Sequence, residues 1–146
     1  MAWRTKGRER QAYSFSYDHL SRPRVLGASY YDVNTSNTAT ASNRFNESLS
    51  YDIRGNILTL QRQGYYQDGG TCTFGDIDNL IFSHASNTNR LNSIADATSL
   101  AAAKARGFNP GAGGAGYTYD GNGNLKSDSY KGISNITYNH LNLPRL

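Results

Sequence analysis

The chain has 146 residues, 37% of them hydrophobic and 12% aromatic, with a formal net charge of +4. That length suits one domain with a real core, and Tyr 11 against Trp 1 is too aromatic a balance for a disordered chain. A single cysteine, Cys72, excludes an internal disulfide and a thiolate metal cluster. No apolar run approaches the ~20 residues of a membrane-spanning helix, and residues 1–25 lack the apolar stretch of a signal peptide.

Residues 1–11 read as a basic lead-in, with Arg4, Lys6, Arg8 and Arg10 offset only by Glu9, and with Trp3 packing on the first sheet. Such a run can touch nucleic acid with salt-dependent affinity. No nucleic-acid-binding fold signature accompanies it, so a solvated lead-in is the preferred reading and no nucleic-acid partner is expected. From Ala12 the pattern alternates as a strand, with Tyr13, Phe15 and Tyr17 on one face and Ser14 and Ser16 on the other. Asp18 opens a turn over 18–21, Pro23 marks an edge or irregular return strand, and 25–31 returns. The Asn-, Thr-, Ser- and Ala-rich run 34–44 has neither period and reads as a surface loop.

A cleaner hairpin follows. Leu49 and Tyr51 share a face, the turn runs from Asp52 to Gly55, Asn56 follows, and 57–60 returns. Asp suits the first turn position because its carboxylate accepts backbone N–H groups just ahead, and Gly suits the last because it tolerates positive φ. In the polar-aromatic patch 61–68, Tyr65 and Tyr66 are neighbours and so point opposite ways. One buried face cannot cover both, which makes them the candidates for exposed ligand contacts. Gly69-Gly70 punctuates the patch.

Leu80-Ile81-Phe82-Ser83-His84 reads as a degenerate third copy, with Phe82 where tyrosine stood and the turn spread over 85–89. Composition predicts one short helix near 98–106, capped by Asp96 or Thr98 and ended by Gly107. Residues 107–116 read as a flexible loop that cradles no phosphate, since no Lys-Ser/Thr follows and a strand comes next. Tyr117 and Tyr119 then share a face, Asp120 opens a turn, Gly123 closes it and Asn124 precedes the return at Leu125. Residues 128–132 make a further turn. A fifth, truncated copy carries Tyr138, Asn139 and Asn142, the last in glycine's place.

None of this predicts chemistry. His19, His84 and His140 each follow a repeat aromatic by two residues, but a shared metal would need side chains converging from separate turns, so turn-position histidines are the preferred reading. Asp120-x-Asn122-x-Asn124 echoes a calcium loop, yet Leu125 holds the glycine position and no Glu arrives at the twelfth. No Gly-x-Ser-x-Gly elbow or base-paired nucleophile is present. We expect no catalytic residue, no metal site, no cofactor and no enzyme. Asn46-Glu47-Ser48 and Asn135-Ile136-Thr137 match glycosylation acceptors.

Three motifs carry a resemblance: Phe15-Ser16-Tyr17-Asp18-His19-Leu20-Ser21-Arg22, Leu49-Ser50-Tyr51-Asp52-Ile53-Arg54-Gly55-Asn56-Ile57, and Tyr117-Thr118-Tyr119-Asp120-Gly121-Asn122-Gly123-Asn124-Leu125. With Ile136-Thr137-Tyr138-Asn139-His140-Leu141-Asn142-Leu143-Pro144, they make the chain from Ala12 onward resemble the RHS/YD-repeat family of large, mostly bacterial proteins. The resemblance implies a mainly β fold of consecutive antiparallel β-hairpin repeats over 12–146, about five copies with the third degenerate, in a curved sheet forming part of a hollow shell. In bacterial members that shell encloses a C-terminal toxin or effector; related animal proteins use it for adhesion. No Asp-Pro-x-Gly core motif, autoproteolytic segment or toxin domain is present, so the chain is expected to be a slice just upstream of the core region. The implied partners are neighbouring repeats, the core region and an enclosed toxin of a parent protein that is secreted or at the cell surface. The alternative is a carbohydrate-binding or adhesion module that meets cell-surface glycans through exposed tyrosines.

Overall fold

A computed structural model describes residues 2–5, 7, 9–19, 24–110 and 116–145, and extended chain dominates it. Strands β1 (Ala2–Arg4), β2 (Arg10–Tyr17), β3 (Val25–Val33), β4 (Ala39–Ala41), β5 (Glu47–Tyr51), β6 (Ile57–Asp68), β7 (Thr71–His84) and β8 (Leu91–Asp96) form an eight-stranded sheet. Its order is β1-β2-β3-β5-β6-β7-β8, with β4 also paired to β3, and every pairing is antiparallel. A second, two-stranded antiparallel sheet joins β9 (Tyr117–Tyr119) to β10 (Leu125–Asp128). The protein is mainly β and built from hairpins.

The expected single sheet is therefore interrupted after the third hairpin. At the outer edge of β8 a side chain stands where a strand would pair. The Tyr130 hydroxyl accepts from the Ile94 N–H at 2.7 Å and donates to the Ile94 carbonyl at 2.9 Å. Tyr130 is held by a 3-10 turn, Ser129–Lys131, whose first N–H groups are capped by Asp128 and whose exit is Gly132 at φ 68°. That turn falls within the one expected over 128–132.

Among the described residues the buried core is small, with Ala28, Val33, Ile77, Leu80 and Ala103 beside Tyr30 and Tyr130, and a row of part-exposed rings extends it. Trp3 stacks on Tyr13 at 5.6 Å, and Tyr13 meets Phe15 at 5.9 Å and Tyr30 at 5.4 Å. The row continues through Tyr30–Phe45 at 5.1 Å, Phe45–Phe74 at 5.4 Å and Phe74–Tyr65 at 5.6 Å, mostly edge to face. A smaller cluster sets Tyr130 against Phe108 and Tyr117. Burial holds the Tyr13, Tyr30 and Tyr117 phenols above their ordinary pKa.

Several boundaries differ from the sequence reading. Within the lead-in, residues 2–4 form β1, which pairs with the start of β2, and Trp3 stacks on Tyr13, while the described residues through Arg10 stay exposed. Lys6 and Arg8 lie outside the described residues. So do 20–23, the tip of the first turn with Ser21 and Pro23, and 111–115 of the expected flexible loop. The loop 34–44 holds β4, reached through a tight turn in which Asn34 Oδ1 accepts from Ser36 N at 3.0 Å and Thr38 N at 2.9 Å.

The helix contracts to one turn, α1 (Ala101–Lys104), with Leu100 at its N-cap and no side-chain cap. Asp96 is engaged elsewhere. Its carboxylate accepts from Asn79 N at 3.2 Å and Thr98 N at 2.9 Å, and its carbonyl takes Lys104 Nζ at 3.1 Å. Burial pushes the Asp96 carboxyl up, but these donors and the lysine outweigh it and hold its pKa below the ordinary value. Gly107 is required by close approach rather than by a cap, for a Cβ there would collide with the Ile77 carbonyl and Asp78 Oδ1. Asp78, 1% exposed, accepts from Arg62 Nε at 2.6 Å and from Phe108 N, which clamps the segment after α1 onto β7.

Candidate functional site

The feature that recurs through the fold is one turn. In the second hairpin, Asp52 Oδ1 accepts from Arg54 N and Asn56 N, both at 2.8 Å, and Oδ2 takes the Asn56 amide at 2.8 Å. The fourth repeats this with Asp120, Asn122 and Asn124 at 2.9, 2.8 and 2.9 Å. In the fifth, Asn139 Oδ1 accepts from Leu141 N at 2.9 Å and Leu143 N at 3.1 Å. In the first, Asp18 takes Arg24 N at 2.9 Å and Arg24 Nε at 2.7 Å. The left-handed position falls at Gly55 (φ 92°), Gly123 (φ 88°) and Asn142 (φ 57°), as the Asp/Asn-to-Gly/Asn spacing predicts.

The strands entering these turns share a signature. A hydroxyl residue, a ring and the turn-opening residue follow in order: Ser16-Tyr17-Asp18, Ser50-Tyr51-Asp52, Ser83-His84-Ala85, Thr118-Tyr119-Asp120 and Thr137-Tyr138-Asn139. The ring residue pairs with the first residue of the return strand in Tyr17↔Val25, Tyr51↔Ile57, His84↔Leu91 and Tyr119↔Leu125, and the fifth copy keeps only the isolated bridge Tyr138↔Pro144. In the first four hairpins the register then shifts by one residue, a bulge at Leu26, Leu58, Asn92 and Lys126. This corrects the third copy: His84, not Phe82, stands at the tyrosine position. Ala85 opens that turn, and Thr88 takes over the capping by accepting from Arg90 N at 3.2 Å. The three histidines are thus not equivalent, since His84 ends a strand while His19 and His140 lie in turns.

The turns also contact one another in chain order. Tyr51 donates through its hydroxyl to the Val25 carbonyl at 2.9 Å, Tyr119 to Leu91 at 2.9 Å and Tyr138 to Leu125 at 2.7 Å. Each acceptor is the residue that opens the preceding return strand. The residue just before that acceptor reaches forward as well. Arg24 lies 4.6 Å over the Tyr51 ring and donates to the Asp52 carbonyl at 3.1 Å. Asn56 donates to the Thr88 carbonyl at 3.3 Å, Arg90 lies 5.8 Å over Tyr119, and Asn124 donates to Asn142 Oδ1 at 3.0 Å. The result is a ladder of stacked turns that runs from Asp18 and Arg24 to 139–143 and bridges the gap between the two sheets.

The carboxylates on this ladder are committed to turn backbone N–H groups and to an Asn or Arg side chain of the same turn. The Asn124 amide is the largest cause holding Asp120 below its ordinary pKa; for Asp52 burial acts upward and the Asn56, Arg54 and Gly55 donors overcome it. Among the described residues no group of three His, Cys, Asp or Glu is placed to hold a metal. Of the two tyrosines expected to be exposed, Tyr65 is 37% exposed, leans on Phe74 and lies 2.7 Å from Cys72 Sγ. Tyr66 is half-buried, with its ring over Gly75 and beside a groove shared with Leu100 and Ala103. The sequence reading did not single out Tyr130 or Asp78. The chain matches no family model and no curated protein.

Proposed function

We propose that the chain is a non-catalytic wall segment of an RHS/YD-type shell, a scaffold whose partners are neighbouring repeats and an enclosed C-terminal toxin or effector, in a secreted or cell-surface bacterial protein. The observation that carries this reading is the ladder. Its polar groups, which would otherwise be candidates for chemistry, are spent on turns and on joining one hairpin to the next. A hairpin alone is marginal in water, and stacking is what stabilises a repeat wall. Electron cryomicroscopy of the product of the complete coding region tests the proposal. The expected result is a hollow wall in which this segment forms consecutive rungs around a cargo domain; an extended molecule with no enclosed domain overturns it.

A second reading, carbohydrate or surface adhesion, is favoured by one observation: Tyr65 and Phe74 stand side by side, 37% and 39% exposed, at the end of the aromatic row. Saturable binding on a glycan array that disappears in Tyr65→Ala would assign that role. Its absence leaves the scaffold.

A further inference from the structure

The turn at 120–124 carries a reactivity that its counterpart at 52–56 lacks. Asn122 is the one asparagine in the chain that a glycine follows, whereas the matching pair in the second hairpin is Arg54-Gly55. An asparagine amide is an electrophile for the backbone nitrogen of the next residue, and glycine, with no Cβ, leaves that nitrogen unhindered. Asp68-Gly69 and Asp120-Gly121 have the same skeleton. An ionised carboxylate, however, resists the nucleophile that an amide accepts.

In the folded turn both reacting groups are held. Asn122 N donates to Asp120 Oδ1 at 2.9 Å, and Gly123 N donates to the Asp120 carbonyl at 3.0 Å. Asn122 is exposed, and its Nδ2 donates to Asn142 Oδ1 at 3.3 Å, beside Asn124 Nδ2 at 3.0 Å. Arg54 makes the same reach in the second hairpin, with Nη2 donating to Asn87 Oδ1 at 3.1 Å. Asn87 and Asn142 are both left-handed residues of the turn ahead, at φ 58° and 57°. The residue before the turn glycine is thus a forward link between turns. In the fourth turn that link is made by the group that can react. Ring closure requires Gly123 N to leave the Asp120 carbonyl, so it proceeds from the opened turn.

We propose that Asn122 is a self-modification site, guarded by the stacked turn, whose conversion loosens the fifth turn from the fourth. The Gly123 nitrogen attacks Asn122 Cγ, the bond from Cγ to Nδ2 breaks, and the Gly123 proton leaves with the amide as ammonia. Water then opens the cyclic imide at either carbonyl. One product is aspartate; the other is isoaspartate, with the main chain routed through the former side chain. Water is the only co-reactant. Both products lose the Nδ2 donor to Asn142 and place a new negative charge beside Asp120. Isoaspartate also lengthens the turn that Gly123 closes. This reactivity belongs to the turn and is the same whatever larger structure the turn is part of.

The test is to age the chain in native buffer and in urea, digest it and map it by mass spectrometry. Labelling with an isoaspartyl methyltransferase scores the isoaspartate. Conversion is expected at Asn122 ahead of every other asparagine, roughly tenfold faster in urea than in native buffer. It should be abolished in Asn122→Gln, whose longer side chain must close a larger and less accessible ring. No conversion in urea, or equal rates in the two solvents, overturns the proposal. Hydrogen exchange on the converted chain reads the consequence. The Asn142 and Leu143 amides should exchange faster than in the unconverted chain, while Gly55 and Asn56 in the second turn keep their rates. Unchanged exchange at Asn142 and Leu143 overturns the loosening of the fifth turn.

Discussion

At the scale of single residues, the ladder is a set of hydroxyl-to-carbonyl contacts with one rung altered. His84 sits at the tyrosine position, cannot span the same distance, and leaves its Nδ1 buried without a hydrogen bond among the described residues. The Ile57 carbonyl, which a tyrosine there would meet, pairs across Tyr51 in the same outward-facing way as Val25 across Tyr17. His84→Tyr is therefore expected to raise stability by about 1 kcal/mol, the net worth of one hydrogen bond, measured as a higher urea midpoint with unchanged slope. An unchanged or lower midpoint would place that rung in a different geometry. Tyr119→Phe removes one such bond and should cost about 1 kcal/mol. Tyr130→Phe should cost more, about 3 kcal/mol, because both backbone groups of Ile94 lose their partner beside a 5% exposed ring. Equal losses in the two variants would mean that the Tyr130 hydroxyl does not replace a strand.

At the scale of elements, the turns decide the register. Gly123 adopts φ 88°, and a Cβ there would lie 2.7 Å from Arg90 Nη2, so Gly123→Val is expected to cost about 2 kcal/mol through left-handed strain and displacement of that arginine. Gly121, two residues earlier, has nothing within 4 Å, and Gly121→Val should stay within about 0.5 kcal/mol of the parent in thermal unfolding. The turn carboxylates also give a signed pH dependence. Asp52 and Asp120 titrate lower in the folded chain, so their contribution is complete above the ordinary aspartate value of 3.8 and is lost as pH falls through the folded value. Asn139 makes the same pair of backbone contacts without a charge. The double variant Asp52→Asn, Asp120→Asn should therefore lose less of its thermal midpoint than the parent between roughly pH 5 and pH 2; identical acid profiles would detach these residues from acid stability.

These turns were also the most legible part of the sequence, for a local reason. Asp, Gly and Asn at fixed offsets specify backbone geometry without help from distant residues, so the hairpins at 52–56 and 120–124 could be read directly. The turn opened by Asn34 escaped because Asn, Ser and Thr lack both the charge and the glycine that mark the others, although the hydrogen bonds are the same. The third copy lies two residues beyond the Phe82 register, because a ring alone does not mark the repeat. The triplet of hydroxyl, ring and turn-opener, Ser83-His84-Ala85, finds it. Asp78–Arg62 and Tyr130–Ile94 join residues far apart in sequence, and no local pattern announces them.

At the scale of the whole molecule, two systems hold the sheet: the aromatic row from Trp3 to Tyr65 and the charge clamp at Asp78. They differ in how damage should spread. The row is a sum of ring contacts over several strands, so losing one ring leaves neighbours in place. Asp78 has no substitute. It is 1% exposed, it pairs with Arg62 at 2.5 Å, and it is the acceptor for Phe108 N at the point where Gly107 lets the chain touch β7. Asp78→Ala leaves an arginine and a backbone N–H without their acceptor, and a buried pair broken on one side typically costs about 3–5 kcal/mol. Arg62 retains 40% side-chain exposure and can return to water, which favours the lower end of that range. The damage should also be local, because α1 is a single uncapped turn that packing alone maintains. Hydrogen exchange is the discriminating measurement. Amides in α1 and at Gly107 and Phe108 should lose protection in Asp78→Ala while those of β2 and β3 keep theirs. Uniform loss across all strands would make Asp78 part of the folding core rather than a clamp on one segment.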